Sequence, residues 1–269
     1  LLNTAGVVNF GEAMSEGQKE QFVDDIYSAF KGDKSLSERR SQVSEVLGRD
    51  PILVRVKFMG IWDTVEALGW PDYEQNIDLP NPRYGDQLCN IDKAAHAVAL
   101  DDDRARIFTP ILLTRKHLTR NCPKVNVNTV VDEVWFSGAH SDVGGGYENT
   151  ELDGVSLNWM IQQLMPYGLL PAKSKVYQDP LGASHDPESG LFGLVYRRLS
   201  RDLPSYGNGT VYNGGKLMLH NSVIKRLANK KPNFHEFEWM KESTYSHCFK
   251  PKGEYLEYLP ESKCFDIVD

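Results

Sequence analysis

The chain has only four cysteines, Cys89, Cys122, Cys248 and Cys264, and no two of them form a CxxC pair. That spacing excludes a zinc ribbon or a thioredoxin-like motif. Four scattered thiols, in a chain of 269 residues that needs no staple to bury a core, read as free thiols of a reduced compartment or else as structural disulfides, and so small a number does not decide between the two. No long Lys/Arg run is present either. With 30 basic against 37 acidic residues the formal charge is −7, which argues against non-specific binding to nucleic acid or to an anionic membrane. Long hydrophobic runs are also missing. The most apolar stretch, residues 52–62, is interrupted by Arg55 and Lys57 and falls short of the ~20 apolar residues that a membrane span needs. The chain opens Leu1-Leu2-Asn3-Thr4, with no Met and no charged segment of a signal peptide. It reads as the continuation of a longer sequence.

What is present is the balance of an ordinary globular domain, 41% hydrophobic and 25% charged. Residues 15–30 predict a helix, with Ser15 as N-cap and Phe22, Val23, Ile26, Tyr27 and Phe30 on one face. A second helix over 37–47 is stopped by Gly48. Residues 52–62 alternate and then become apolar on both faces, as a strand does on entering a covered sheet. Residues 69–90 read as a long loop, and 92–100 as a helix. A strand over 107–113 carries Pro110 and so is irregular or at an edge. Residues 130–136 form a clearer strand. A helix starts near Ser156, with Leu157, Met160, Ile161 and Leu164 on one face; 171–215 is mostly loop, and another helix begins at Ser222. Strands alternating with helices indicate an α/β fold with a mainly parallel sheet, in a single domain over 1–269.

In open α/β sheets, ligands gather at the C-terminal ends of strands. The first strand ends Trp62-Asp63-Thr64-Val65. Asp63 is either a carboxylate presented by the sheet or the N-cap of a turn over 64–68. The strand over 130–136 runs into Gly138-Ala139-His140-Ser141-Asp142-Val143-Gly144-Gly145-Gly146-Tyr147. Its glycines permit backbone conformations closed to other residues, so the loop either presents His140 at a fixed angle or is a tight turn with an incidental histidine. Asp63 and His140, 77 positions apart, make an acid–base pair of the kind that activates a serine hydroxyl. No G-x-S-x-G elbow occurs in the chain.

Two other chemistries stay open. His140, Asp142 and Asp63 offer N and O ligands for a metal that activates water, in a sparser pattern than metal hydrolases show. A non-catalytic fragment or binding module is the third reading, with partners held by the loops 69–90 and 171–215. Around the pair, Asp142 either bonds the amides of the glycine loop or holds His140 in place. Gly144 and Gly145 shape that loop, and Tyr147 and Trp62 are placed to line a substrate site. His96, on the helix predicted over 92–100, reads as a packing residue. Arg104 and Arg106 pair with Asp101 or Asp102, or face a substrate anion. His220 belongs to a helix start, and His117, His185, His235 and His247 carry no motif.

Several blocks resemble those of one α/β-hydrolase family. Residues 58–69, FMGIWDTVEALG, are similar to its "lGvWDTVgAlG" block, and 95–104, AHAVALDDDR, to "HAlAlDErR". Residues 134–147, VWFSGAHSDVGGGY, resemble "vWFpGaHsDVGGGY", 157–160, LNWM, "sLaWM", and 220–223, HNSV, "HpSV". The family includes the first class of type VI secretion lipase effectors. The resemblance implies an α/β-hydrolase fold whose N-terminal part lies outside this sequence, and a serine ester hydrolase of lipase or phospholipase type needing no cofactor. It gives Asp63 the acid's place and His140 the general base's. In that family the serine sits in a "GFSRGA" elbow roughly fifty residues before the aspartate, so here it falls at or before residue 1. The partners implied are a lipid or other ester met at a membrane surface, a secretion apparatus or immunity protein, and the upstream segment. Delivery by a secretion system without a signal peptide also follows from the resemblance.

Overall fold

The computed structural model describes residues 1–8, 14–31, 34–65, 85–104, 108–115, 118, 120–187, 198–209, 212–230, 236–240 and 244–269. Most of the loop expected over 69–90, part of that over 171–215, and Arg106, His117 and His235 lie outside the described residues. The chain divides into two compact units: Leu1–Lys57 with Asp78–Lys93 and Lys116–Asn126, and Phe58–Ile77 with Ala94–Arg115 and Val127–Asp269.

The first unit holds helices α1 (Leu2–Ala5), α2 (Glu16–Lys31) and α3 (Leu36–Leu47). Ser15 Oγ accepts from the Gln18 amide at the start of α2. For α3 the cap is Ser35, in a reciprocal capping box with Glu38, and Gly48 closes it at φ 66°. Ala5, Ile26 and Val43 form the core. Val23 and Tyr27, expected on the buried face of α2, are exposed. Arg39 is buried and paired with Asp86 at 2.8 Å.

The second unit is built on a five-stranded sheet in the order β1 (Met59–Trp62), β2 (Ala94–Ala99), β3 (Val131–Phe136), β4 (Leu217–His220) and β7 (Phe265–Val268). All four pairings are parallel. Between these strands in sequence lie α4 (Val127–Val130), α5 (His140–Gly144), α6 (Asp153–Leu164), α7 (Leu203–Gly209) and α8 (Asn221–Asn229), and an antiparallel hairpin of β5 (Phe249–Lys252) and β6 (Tyr255–Tyr258).

Alternate side chains go to opposite faces of the sheet. Ala95, Ala97, Ala99, Val134, Phe136 and Met218 pack with Val143 of α5 and with Val155, Trp159 and Met160 of α6. Val98, Trp135, Leu217 and Leu219 pack with Leu203 and Tyr206 of α7, Val223 and Leu227 of α8, and Phe249, Tyr258 and Phe265. Both faces are covered, as a parallel sheet requires. The α/β class expected from the sequence is what the structure has.

Two local expectations are corrected, and one open alternative is decided. Within 92–100, Ala94–Ala99 form β2 instead of a helix. Its alanines suit a strand of which every residue is buried, with helix α6 packed closely above the sheet. The described residues of 107–113 contain no strand. Pro110, which has no N–H to give a ladder, makes only an isolated bridge to Val65. The cysteines are not free: Cys89–Cys122 and Cys248–Cys264 are disulfides, with Cα atoms 5.0 and 6.1 Å apart. Distance along the chain, 33 and 16 residues, gave no sign of that proximity. No helix among the described residues is long and apolar enough to cross a membrane.

Candidate active site

Asp63 leaves the C-terminal end of β1 at φ 33°, a left-handed conformation that aspartate tolerates better than most residues. Its amide donates to Ala97 O at 2.7 Å. The next amide, of Thr64, donates to His96 Nε2 at 3.1 Å. His96 is buried in β2, and its Nδ1 lies 2.9 Å from Glu133 Oε2. The histidine read as a packing residue therefore also ties down the turn that carries Asp63.

The Asp63 side chain is completely buried, and both oxygens are engaged. Oδ1 accepts from Ala99 N at 2.9 Å and from Arg201 Nη1 at 2.6 Å. Oδ2 lies 2.7 Å from His140 Nδ1 and accepts from Arg201 Nη2 at 2.9 Å. Burial alone would raise the acid's pKa. The Arg201 charge and the bonds from His140, Arg201 and Ala99 outweigh it and hold the carboxyl well below the usual range. Arg201, buried as well, further donates to the carbonyls of Ala99 and Phe108.

His140 opens α5 just beyond β3. Three consecutive amides leading to its ring are each held by a different buried carboxylate. Gly138 N donates to Asp101 Oδ2 at 2.7 Å, Ala139 N to Asp142 Oδ2 at 3.0 Å, and His140 N to Asp102 Oδ2 at 3.0 Å. Gly138 must be glycine: its φ is 107°, and a Cβ there would lie 2.4 Å from Asp142 Cβ. Phe108 packs against the imidazole, with ring centroids 5.1 Å apart, and Arg104 lies over Phe108 while pairing with Asp102 at 2.6 Å. The imidazole stays partly open to solvent.

Asp142 does not join Asp63. Its Oδ1 lies 2.6 Å from His185 Nδ1, and His185 stacks on Tyr147 at 3.9 Å between centroids. A second carboxylate–imidazole pair thus hangs from the same short helix as the first. Gly145 follows α5 at φ 85°, and a Cβ on Gly144 would meet Trp62 at 3.7 Å. Trp62 packs into the core beneath α5 and α6. At the end of β4, His220 caps α8 by accepting from Ser222 N. Burial pushes its imidazole down to about 4.

Residues 1–163 match the family described as "T6SS, Phospholipase effector Tle1-like, catalytic domain". The match spans more than half of the chain. The chain belongs to this family. A search of curated proteins and one of solved structures found no match. For a Tle1-like catalytic domain, a mainly parallel sheet flanked by helices is the α/β-hydrolase layout, and lipid-ester hydrolysis is the chemistry that the family implies.

Within this Tle1-like chain, Asp63 and His140 come together, while Asp142, Gly144, Gly145, Tyr147 and Trp62 surround the loop that carries His140. Two residues escaped the sequence reading. Arg201, beyond the matched segment, sits among Gly- and Pro-rich residues with no periodicity or motif to mark it. His185 likewise lacks a local pattern, because its partner Asp142 is 43 positions away.

Proposed function

We propose that this chain supplies the acid and the general base of a Ser-His-Asp triad that cleaves the acyl ester of a phospholipid, with the serine carried on a segment N-terminal to residue 1. The observation that carries the reading is the 2.7 Å contact between His140 Nδ1 and a buried, ionised Asp63. With Nδ1–H donated to Asp63, Nε2 is left as the basic nitrogen. It takes the proton of the serine hydroxyl as the oxygen attacks the ester carbonyl, then returns a proton to the departing alcohol. In the second half, the same nitrogen takes a proton from water as it attacks the acyl-enzyme. Asp63 stays ionised throughout, held so by Arg201, and stabilises the imidazolium that forms.

The metal reading loses its ligand set. Asp142 is committed to His185 and the Ala139 amide, and Asp63, His140 and Asp142 form no ligand cluster among the described residues. The test is fluorophosphonate labelling of the full-length protein beside fatty-acid release from phospholipid vesicles. Labelling of one serine, with loss of release, is expected, and His140→Ala slows both by about a thousandfold or more. Release that survives the phosphonate and stops with a chelator would overturn the reading.

A further inference from the structure

His247, Cys248 and Cys264 lie where two strands begin: Cys248 precedes Phe249 of β5, and Cys264 precedes Phe265 of β7. The two sulfurs are bonded to each other, and the His247 imidazole is turned onto them. Nε2 is 3.5 Å from Cys264 Sγ and 3.8 Å from Cys248 Sγ. Cys248 is buried, Cys264 partly so, and His247 is exposed, so the group is walled by core on one side and open to water on the other. No catalytic role in ester hydrolysis uses these residues.

The spacing has a chemical meaning. In a tetrahedral zinc site with Zn–S ≈ 2.3 Å and Zn–N ≈ 2.0–2.1 Å, each S···N edge is roughly 3.5 Å and each S···S edge roughly 3.8 Å. Both S···N edges already stand near that length. The S···S edge alone is too short, because a covalent bond spans it. Once that bond opens, side-chain rotation is enough to complete three corners of a tetrahedron, and the solvent side leaves the fourth for water.

We propose that reduction of Cys248–Cys264 creates a binding site for a thiophilic divalent cation, Zn²⁺ by ligand type, held by both cysteine thiolates and His247 Nε2. The reductant is a dithiol. Its thiolate attacks one protein sulfur, and its second thiol resolves the mixed disulfide. It leaves as a cyclic disulfide, and two electrons and two protons end on the protein sulfurs. The cation then displaces the two thiol protons, and His247 binds through its nitrogen lone pair. The oxidised protein has no thiolate to offer, so the site is switched by redox state.

Both strand starts are also held by contacts other than the disulfide. Leu259 N donates to Cys248 O at 2.8 Å. The Tyr258 hydroxyl donates to Phe265 O at 3.2 Å. Phe249, Tyr258, Phe265 and Trp239 pack around the pair in the core. The other disulfide, Cys89–Cys122, has no such third ligand beside it among the described residues.

The test is Co²⁺ titration of the full-length protein, oxidised and after reduction by a phosphine that is then removed. The reduced protein is expected to bind about one equivalent, with thiolate-to-cobalt charge-transfer absorption and the intense visible bands of a tetrahedral site. The oxidised protein gives neither. Cys89→Ser/Cys122→Ser leaves the spectrum unchanged, while His247→Ala, which keeps both disulfides, weakens binding at least about tenfold after reduction. Equal binding by His247→Ala and wild type would overturn the proposal. So would the absence of charge-transfer bands, or loss of the folded circular-dichroism signal on reduction alone.

Discussion

Arg201 sets one guanidinium nitrogen on each oxygen of Asp63, at 2.6 and 2.9 Å, while His140 takes the same carboxylate at 2.7 Å. The fork fixes the plane of the carboxylate, and so the direction from which the imidazole must approach. It also fixes the charge, because the Arg201 guanidinium is held protonated by the same contact. An aspartate buried this deeply without a cation would tend to protonate, and a protonated acid would not stabilise an imidazolium.

Neither partner is expected to tolerate loss of the other. Asp63→Ala leaves a buried guanidinium unpaired and Arg201→Met a buried carboxylate, and each should cost about 3–5 kcal/mol. The double variant should lose clearly less than the sum of the two. Denaturant unfolding of all four proteins measures this, and strictly additive losses would show that the fork does not couple the two residues.

Asp63→Asn keeps the shape and removes the charge. With the Asn oxygen kept toward the Ala99 and Arg201 donors, its NH2 faces His140 and donates to Nδ1 where the carboxylate accepted. That selects the wrong tautomer, so kcat on a phospholipid should fall by about 10⁴-fold with KM little changed. His140→Gln should fall as far, and the double variant no further, because the two act as one unit. Activity near wild type in Asp63→Asn would remove the acid from the mechanism.

The parts of this site visible in the sequence are those whose positions follow from strand ends. Asp63 and His140 each follow a strand by a few residues, and the glycines after His140 advertise an unusual backbone. The helix closed by Gly48 was visible for the same reason, since that stop signal is local, although its start was placed at residue 37 and the Ser35 cap was not read. Residues 92–100 misled because an alanine run suits both a helix and a strand buried on both faces, and only the α6 packing decides between them. Arg201 and the disulfides depend on contacts across 138, 33 and 16 positions, which leave no local trace. The short strands β4 to β7 likewise carry too few residues to show a period.

Gly138→Ala tests the three pinned amides. The added methyl would meet Asp142 Cβ at 2.4 Å, in a conformation at φ 107° that alanine rarely adopts. Asp142 must then move, releasing Ala139 N and His185 together. A stability loss of about 1–3 kcal/mol is expected from the backbone strain, with a larger proportional loss in kcat because the imidazole shifts. Ser137→Ala, one residue earlier, is the control and should keep the activity. A Gly138→Ala enzyme with unchanged kcat would mean that the pinned amides do not position His140.

Asp101 gives the pH dependence. Burial pushes its carboxyl up to about 7, although the amides of Gly138 and Phe237 both favour the charged form. The folded protein therefore binds this proton more tightly than the unfolded chain, whose aspartates titrate near 3.9. The contribution of the group is fully present below that value and is lost as pH rises through about 7. Asp63 runs the other way: its contribution is present above the ordinary aspartate value and is lost as pH falls through its depressed one. Between pH 5 and 8 only Asp101 of these two titrates, and its contribution falls across that interval. His220, held down to about 4 by burial, instead contributes stability that rises until an unfolded histidine loses its proton at about 6.5. Asp101→Asn, which carries no titrating proton, should lose only the falling contribution, so its stability relative to wild type should rise with pH. Denaturation midpoints measured every half unit of pH decide it, since equal slopes in the two proteins would mean that Asp101 is ionised across the whole range.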